Sequence, residues 1–286
     1  MPPVPACTRR YVLAARPGTA SGPIEEGVLR YEDAAPIPSL EPGQLQVRVG
    51  WLSLDVGSRG WMNEARSYLP PAPLGEAMRG LGAGVVTASR YSALVPGDRV
   101  CGFLGWQEDA VVDGQDLRRV PHGVPLSASL HVLGIAGQTA WLGLHDIGRP
   151  RSGETVVVTA AGGSVGCIAV QLAAAAGARV IGIAGSPDKC ALVRELGAED
   201  CIDYKTEDVP AALSARFPDG VDVVFDNVGG TLLDGLLPLL AVNARVVLCG
   251  AVSRYDGGPA PLRNWFHLLK GCGSSSECVK IGRAHV

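Results

Sequence analysis

No C-x-x-C pair occurs among the eight cysteines, which fall at positions 7, 101, 167, 190, 201, 249, 272 and 278. That scatter suggests neither a zinc ribbon nor a disulfide framework. Several lie in apolar runs, where cysteine behaves as a small hydrophobe, so a reducing, cytoplasmic compartment is expected. Histidine is scarce. The five residues His122, His131, His145, His267 and His285 have no ligand-like spacing, and His131 and His145 read as packing or capping residues. A net charge of −3 gives no electrostatic footprint for nucleic acid. The opening MPPVPACTRR lacks the apolar core of a secretory signal. Arg9, Arg10 and Arg16 hint at a transit peptide, but the segment soon reads as strand. There is no internal repeat and no disordered tract of substance. The 286 residues can bury one large core or two modest ones.

One stretch resembles a membrane span. Residues 166–185 (GCIAVQLAAAAGARVIGIAG) are nearly all apolar. Gly177, Ala178 and Arg179 divide them, and Arg179 would sit badly in a bilayer, so a buried helix followed by a buried strand is expected. No membrane association follows.

The chain changes character near residue 130. Before it, short apolar or alternating runs at 11–15, 44–54, 84–89 and 99–103 are separated by Pro and Gly, as in an antiparallel β domain. After it, strands alternate with helices, which argues for βαβ units and a parallel sheet. Strands are expected at 155–160, 179–184, 200–204, 221–226 and 244–250. Helices are expected at 164–176, 187–196, 209–217 and 231–239, with another at about 129–146 linking the domains. Pro187 suits a first helical turn and Gly197 the residue past its end.

The most telling segment is TVVVTAAGGSVG, residues 155–166. Val156, Val157 and Val158 form the unbroken apolar run of a strand covered on both faces. Gly162 and Gly163 permit backbone angles that a side chain would forbid. Gly166 is read as leaving room for phosphates, and the helix that follows presents free N–H groups and a positive dipole end. A strand, glycine turn and helix in that order suit a dinucleotide pyrophosphate.

Many segments in order resemble the medium-chain dehydrogenase/reductase superfamily. The closer likeness is to its zinc-free prostaglandin reductase (leukotriene B4 12-hydroxydehydrogenase) and alkenal/one oxidoreductase branch. They include RRYVLAARP (9–17), SLD and RGWMNEARSYLPP (53–71), LGEAMRG (74–80), GFLGWQE (102–108), GIAGQTAW (134–141), AAGGSVG (160–166), GSPDK (185–189), DYKT (203–206), FDNVGG (225–230) and CGAVSRY (249–255). The resemblance implies an α/β fold: an N-terminal GroES-like antiparallel β domain over 1–128 and a Rossmann doubly wound parallel sheet over 129–270. That sheet is expected to be incomplete, with its sixth strand missing. Zinc-dependent members place a histidine where this chain reads GEAMRG, and the structural-zinc cysteine cluster is absent, so no metal is expected.

The second strand of that sheet ends Ile183-Ala184-Gly185-Ser186, without the acid that holds ribose hydroxyls in NAD enzymes. By resemblance the cofactor is NADP(H), with Lys189 on its 2′-phosphate, Tyr204 near the adenosine and Asn227 beside it. The plain alternative for Lys189 is a solvated lysine, and Asp188 beside it would repel a phosphate if it faced inward. The resemblance also assigns Thr139, Gly163, Ser164, Val165 and Gly166 to the cofactor. To these it adds Cys249, Gly250, Ala251, Val252, Ser253, Arg254 and Tyr255, passing under the nicotinamide.

The implied reaction is NADPH-dependent reduction of an activated carbon–carbon double bond, as in α,β-unsaturated ketones and aldehydes and in 15-oxoprostaglandin 13-reduction. Tyr68 and Tyr255 are candidate hydrogen-bond donors to the developing enolate, or simply packed tyrosines. Arg59, Trp61 and Trp106 are candidate substrate residues; core packing is the alternative for the two tryptophans. A quinone oxidoreductase and a non-catalytic NADPH-binding fragment are the rival readings. Two departures stand out. Val56-Gly57-Ser58 replaces the family's Pro, aromatic or Ala, then Met after SLD, and NWFHLLKG holds no counterpart of a tyrosine proposed as catalytic in relatives. The resemblance ends near Leu269, where relatives continue. The closing IGRAHV matches the translation of ATC GGA AGA GCA CAC GTC, a sequencing-adapter read, so 271–286 is expected to be a non-native tail; a natural short C-terminus is the rival view. Relatives form homodimers. An open sheet edge makes one doubtful here.

Overall fold

The computed structural model describes residues 5–18, 24–64, 69–254 and 280–283. Two compact units meet in sequence between Gly134 and Ile135, six residues beyond the expected boundary.

In the first unit, β1 (Cys7–Leu13) pairs antiparallel with β2 (Leu29–Pro36). A second antiparallel sheet is built from β3 (Gln44–Leu52), β4 (Leu81–Ser89), β5 (Arg99–Phe103), β6 (Asp109–Asp113) and β7 (Arg118–Arg119). Its spatial order is β6-β3-β4-β5-β7. A four-residue helix, α1 (Ser58–Trp61), lies between β3 and β4. Leu45, Val47, Val86, Leu94, Val100, Leu104 and Ala110 form the core of the larger sheet. The strands β2 and β6 were not anticipated. Strand β2 is largely exposed and is held by backbone pairing with β1, whereas β6 is a short run between Asp109 and Asp113 whose Ala110 joins the core. The start of β4 was hidden by Gly82 and Gly84. A Cβ on Gly84 would stand 2.1 Å from the Arg48 carbonyl oxygen, so close approach of β3 requires glycine there.

The second unit opens with α2 (Ile135–Leu142), which passes into a π-helical turn at Gly143–Gly148. The single helix expected over 129–146 is thus corrected. Its first residue closes a separate 3₁₀ turn, Ser127–Ser129, and a Cβ on Gly134 would collide with the backbone of Leu130 at 2.6 Å.

The remainder alternates strand and helix: β8 (Thr155–Thr159), α3 (Ser164–Ala175), β9 (Arg179–Ala184), α4 (Pro187–Glu195), β10 (Asp200–Asp203), α5 (Val209–Arg216), β11 (Val221–Asp226), α6 (Gly230–Leu236) and β12 (Leu240–Leu248). All strand pairs in this sheet are parallel. Alternate residues on each strand supply two cores. Val156, Val158, Val180, Ala184, Val223, Phe225 and Val247 face α2, α3 and α4 through Ala140, Ala169, Ala173 and Val193. Val157, Ile181, Ile183, Ile202, Val224 and Val246 face α5 and α6 through Leu213, Leu233 and Leu236. That is a doubly wound sheet, and burying each of these branched side chains contributes about 1.5–3 kcal/mol.

The strand order is β10-β9-β8-β11-β12-β13, where β13 is Lys280–Arg283. The expectation of a missing sixth strand is therefore corrected. Four residues pair in parallel from Arg245↔Lys280 to Leu248↔Arg283, because the free backbone groups on β12 accept a further strand. Strand β12 also starts four residues earlier than expected, directly after a 3₁₀ turn at Leu237–Leu239. Residues 166–185 form α3, a turn and β9, and among the described residues no helix is long and apolar enough to cross a membrane.

Candidate functional site

The order of the second sheet reverses direction between β8 and β11, and the carboxyl ends of strands at such a point form a crevice. A cleft of about 610 Å³ opens there, lined among others by Ala160, Ile183, Tyr204, Val228, Val252 and Ser253.

The turn after β8 is shaped by its own backbone. Ala160 takes a left-handed conformation, φ 47°, and its carbonyl accepts from the Gly163 amide at 2.9 Å. That carbonyl also points beneath α3. A Cβ on Gly166 would stand 2.2 Å from it. Gly166 is buried, so the expectation that it leaves room for phosphates is corrected: it lets the helix seat on the turn. Gly163, the N-cap of α3, and Ser164 are the exposed members, and Val165 is half-buried. The leading amides of α3 are where a helix holds an anion.

Lys189 lies across this turn. Its Cβ, Cγ and Cδ are 3.2, 3.4 and 3.5 Å from the position a Cβ on Gly162 would take. Its placement follows from α4, whose N-cap Ser186 accepts from the Lys189 amide at 3.3 Å, with Pro187 in the first turn. Gly197 follows with φ 105°. Asp188 is exposed beside it. Tyr204 follows β10, donating its amide to the Ala184 carbonyl at 3.1 Å. Its ring covers Gly185, whose absent Cβ would sit 2.7–2.8 Å from the ring edge and hydroxyl. Two acids also line the cleft, and both are engaged. Asp208 caps α5 through the Ala211 amide at 3.0 Å, and Glu207 accepts from the Asp203 amide at 3.1 Å.

The far side of the crevice rests on a network that sequence reasoning missed. Asp226 is fully buried at the end of β11. Its carboxylate accepts from Thr159 Oγ1 at 2.8 Å, from the Val228 amide at 3.2 Å and from the Gly229 amide at 2.8 Å. Burial pushes its carboxyl above the usual value, against the pull of those three donors. Asn227 donates its amide to Thr159 Oγ1 at 2.8 Å and Nδ2 to the Thr159 carbonyl at 2.7 Å. The sequence motif FDNVGG marked this stretch, but nothing in it named Thr159 as partner.

The segment expected to pass under a nicotinamide runs alongside. The Cys249 and Gly250 amides donate to the Asp226 carbonyl at 2.8 and 3.1 Å, and Ser253 donates its amide and hydroxyl to the Val228 carbonyl at 3.1 and 2.7 Å. Ala251 is half-buried, Val252 and Ser253 are exposed, and Val252–Arg254 forms a 3₁₀ turn. Burial, with Asp226 nearby, pushes the Cys249 thiol up to about 12, so it is no thiolate at neutral pH. Thr139 is buried on α2, 8% exposed.

The substrate candidates lie in the first unit. Arg59 is buried on α1 and donates to Asn63 Oδ1 at 3.0 Å. Trp61, 4% exposed, belongs to a core with Leu13, Val28, Met62, Ala72 and Met78, and meets the Phe103 ring edge-on at 6.0 Å. Trp106 packs on the same core over Gly80 and also lines an apolar groove with Tyr11, Tyr31 and Trp51. Two polar atoms in the divergent loop, Asp55 Oδ2 and Ser58 Oγ, are buried with no hydrogen-bond partner among the described residues. Tyr68 and Tyr255 lie outside the described residues. His145 stacks on Trp141 at 5.1 Å and contacts Asp146. No group of three or more His, Cys, Asp or Glu suited to a metal occurs among the described residues.

A crevice at the reversal of a six-stranded parallel sheet, a glycine turn and an antiparallel β unit before it define a class: the chain belongs to the medium-chain dehydrogenase/reductase family, among its zinc-free oxidoreductases. Residues 9–120 match the N-terminal domain of oxidoreductase, and residues 164–274 match the family described as zinc-binding dehydrogenase. The chain is 41% identical over 255 residues to the NADPH-dependent curcumin reductase of Escherichia coli K12, spanning 88% of this chain and 73% of that protein. It is 36% identical over 231 residues to prostaglandin reductase 1 of Rattus norvegicus, spanning 79% and 68%. The crystal structure of CurA from Vibrio vulnificus in complex with NADPH superposes with a TM-score of 0.86 at 35% identity, covering 96% of this chain and 81% of that one.

Proposed function

We propose that the chain is an NADPH-dependent reductase of activated carbon–carbon double bonds, taking α,β-unsaturated ketones and aldehydes of the 15-oxoprostaglandin type. One observation carries the cofactor choice: the Lys189 stem lies against Gly162, over the turn where the α3 amides emerge, with no acid on the β9 turn. Glycine at 162 and 185 lets the Lys189 stem and the Tyr204 ring lie close against the turns that follow β8 and β9. Gly163, Ser164 and Val165 would hold the pyrophosphate. Lys189 would hold the 2′-phosphate, Tyr204 the adenosine side, and Thr139, Asn227 and the segment 249–255 the remainder. The bound coenzyme supplies the hydride that reaches the β-carbon.

The chain's own task is at the carbonyl oxygen, which gains charge as the double bond is reduced. Tyr68 and Tyr255 are the proposed donors to that oxygen. Arg59, Trp61 and Trp106 are proposed to shape the substrate side, with Trp61 acting through the packing that positions its neighbours. No metal ligand is proposed, because GEAMRG supplies no histidine.

The test is a coenzyme titration. Lys189→Ala is expected to weaken NADPH binding about tenfold to a hundredfold while leaving NADH unchanged, the loss of one charge-assisted contact. Equal weakening of both coenzymes, or of neither, would remove Lys189 from the phosphate. Turnover of a medium-chain enone in preference to benzoquinone is expected of the intact protein. The reverse preference makes it a quinone reductase.

A further inference from the structure

Two buried thiols meet beneath the glycine turn, and neither has a part in the reaction above. Cys190 sits in the first turn of α4, and Cys201 sits in β10. Their sulfurs are 2.9 Å apart, and the residues are 3% and 2% exposed. The separation results from how the two elements are held. Arg194, one turn further along α4, donates to Asp200 Oδ1 at 2.9 Å and to the Cys201 carbonyl at 3.1 Å. Asp200 Oδ1 also accepts from the Cys201 amide at 2.7 Å. On the other side Gly182 of β9 leaves space: a Cβ there would stand 3.4 Å from the Cys201 sulfur. The Arg194 and Asp200 contacts thus tie α4 to β10 beside the pair, and Gly182 gives the Cys201 sulfur its room.

A disulfide has its sulfurs about 2.05 Å apart. Less than an ångström of movement and a side-chain rotation separate the present arrangement from that bond. We propose that Cys190 and Cys201 are an oxidative modification site, a thiol pair that a peroxide converts to a disulfide clamping α4 to β10.

The chemistry balances with hydrogen peroxide as oxidant. One thiolate sulfur attacks the peroxide, the O–O bond breaks, and a sulfenic acid and water form. The second thiol attacks that sulfur. An S–S bond forms, the S–O bond breaks, and a second water leaves. Two thiols lose two protons and two electrons, and peroxide takes these up to become two waters. Burial and the neighbouring Cys190 sulfur hold the Cys201 thiol well above its ordinary value, so the closed pair reacts slowly. Oxidation must wait for α4 to open locally. The clamp would fix the first turn of α4, which carries Lys189, to the strand that leads into Tyr204. The site stands on thiol geometry alone, whether or not Lys189 meets a phosphate.

The test uses the full chain, treated with hydrogen peroxide under native conditions and digested with trypsin without reduction. Cleavage after Lys189, Arg194 and Lys205 puts the two cysteines on separate peptides, residues 190–194 and 195–205. The expected result is a linked peptide whose mass is their sum less two hydrogens, with a raised Tm for the oxidised protein. Cys190→Ser is expected to abolish the link. The exposed Cys7 is the internal measure of oxidant dose. Three results would overturn the proposal: both thiols still reduced after the native protein is held in peroxide long past complete oxidation of Cys7, Cys190 or Cys201 recovered as sulfinic acid without a link, or a link formed only in unfolding concentrations of urea.

Discussion

Gly166 shows how one position can carry a strict demand that its residue type alone does not explain. Glycine after a glycine turn reads naturally as room for a ligand. In the fold the room is taken by the Ala160 carbonyl, 2.2 Å from where a Cβ would stand. Gly166→Ala is therefore expected to destabilise the protein by about 1–3 kcal/mol, the usual cost of forcing extra volume into packed structure. The shift would fall on the start of α3, so NADPH affinity should fall with stability. Urea denaturation and a coenzyme fluorescence titration measure the two together. An unchanged midpoint would show that the helix does not rest on that carbonyl. Asp226 teaches a related lesson. Its place in FDNVGG named no partner, but its burial and three donors make it the rivet between β8 and β11.

At the scale of elements, Arg245 on β12 ties the sheet to the turn before β8. It donates Nε to the Gly148 carbonyl at 2.8 Å, one Nη to the Arg149 carbonyl at 3.0 Å, and both Nη groups to the Glu154 carboxylate. Burial pushes the Glu154 carboxyl up, but the Arg245 hydrogen bond and the Arg151 amide outweigh it and hold the group below its ordinary value. A carboxyl with a depressed folded value contributes stability above its unfolded value, about 4.3, and loses it as pH falls through the folded one. Glu154→Gln is expected to cost about 1–3 kcal/mol at neutral pH. The gap between variant and parent should close below about pH 4.3. Urea midpoints at pH 7 and pH 3.5 check this, and a gap that widens in acid would contradict the pairing. The elements were legible to different degrees. Strands 179–184 and 221–226 were read to the residue, because their apolar runs are bounded by Gly or Asp. The interrupted α2 and the polar β2 were not, because tertiary pairing overrides weak local signals there.

For the whole molecule, the candidate coenzyme crevice belongs to the unit from Ile135 onward, and the substrate candidates Arg59, Trp61 and Trp106 belong to the unit that ends at Gly134. NADPH is thus expected to slow amide hydrogen exchange in residues 160–166, 186–190 and 227–253. A tenfold or greater slowing at residues 163–166 would fit a pyrophosphate held by helix amides. Protection that spared this turn while NADPH was demonstrably bound would place the coenzyme elsewhere.

The sequence by itself determined the class of architecture, the alternation of strand and helix after residue 130, the glycine turn and the absence of a zinc-ligand histidine in GEAMRG. Those are properties of local pattern: period, apolar run length and residue type at a turn. Only the tertiary structure decided that Thr159 meets Asp226, that Lys189 lies over Gly162, that Trp61 is core and that Cys190 faces Cys201. Each of those contacts joins different elements, and their closeness depends on how strands stack and helices seat. No periodicity within one segment encodes that distance.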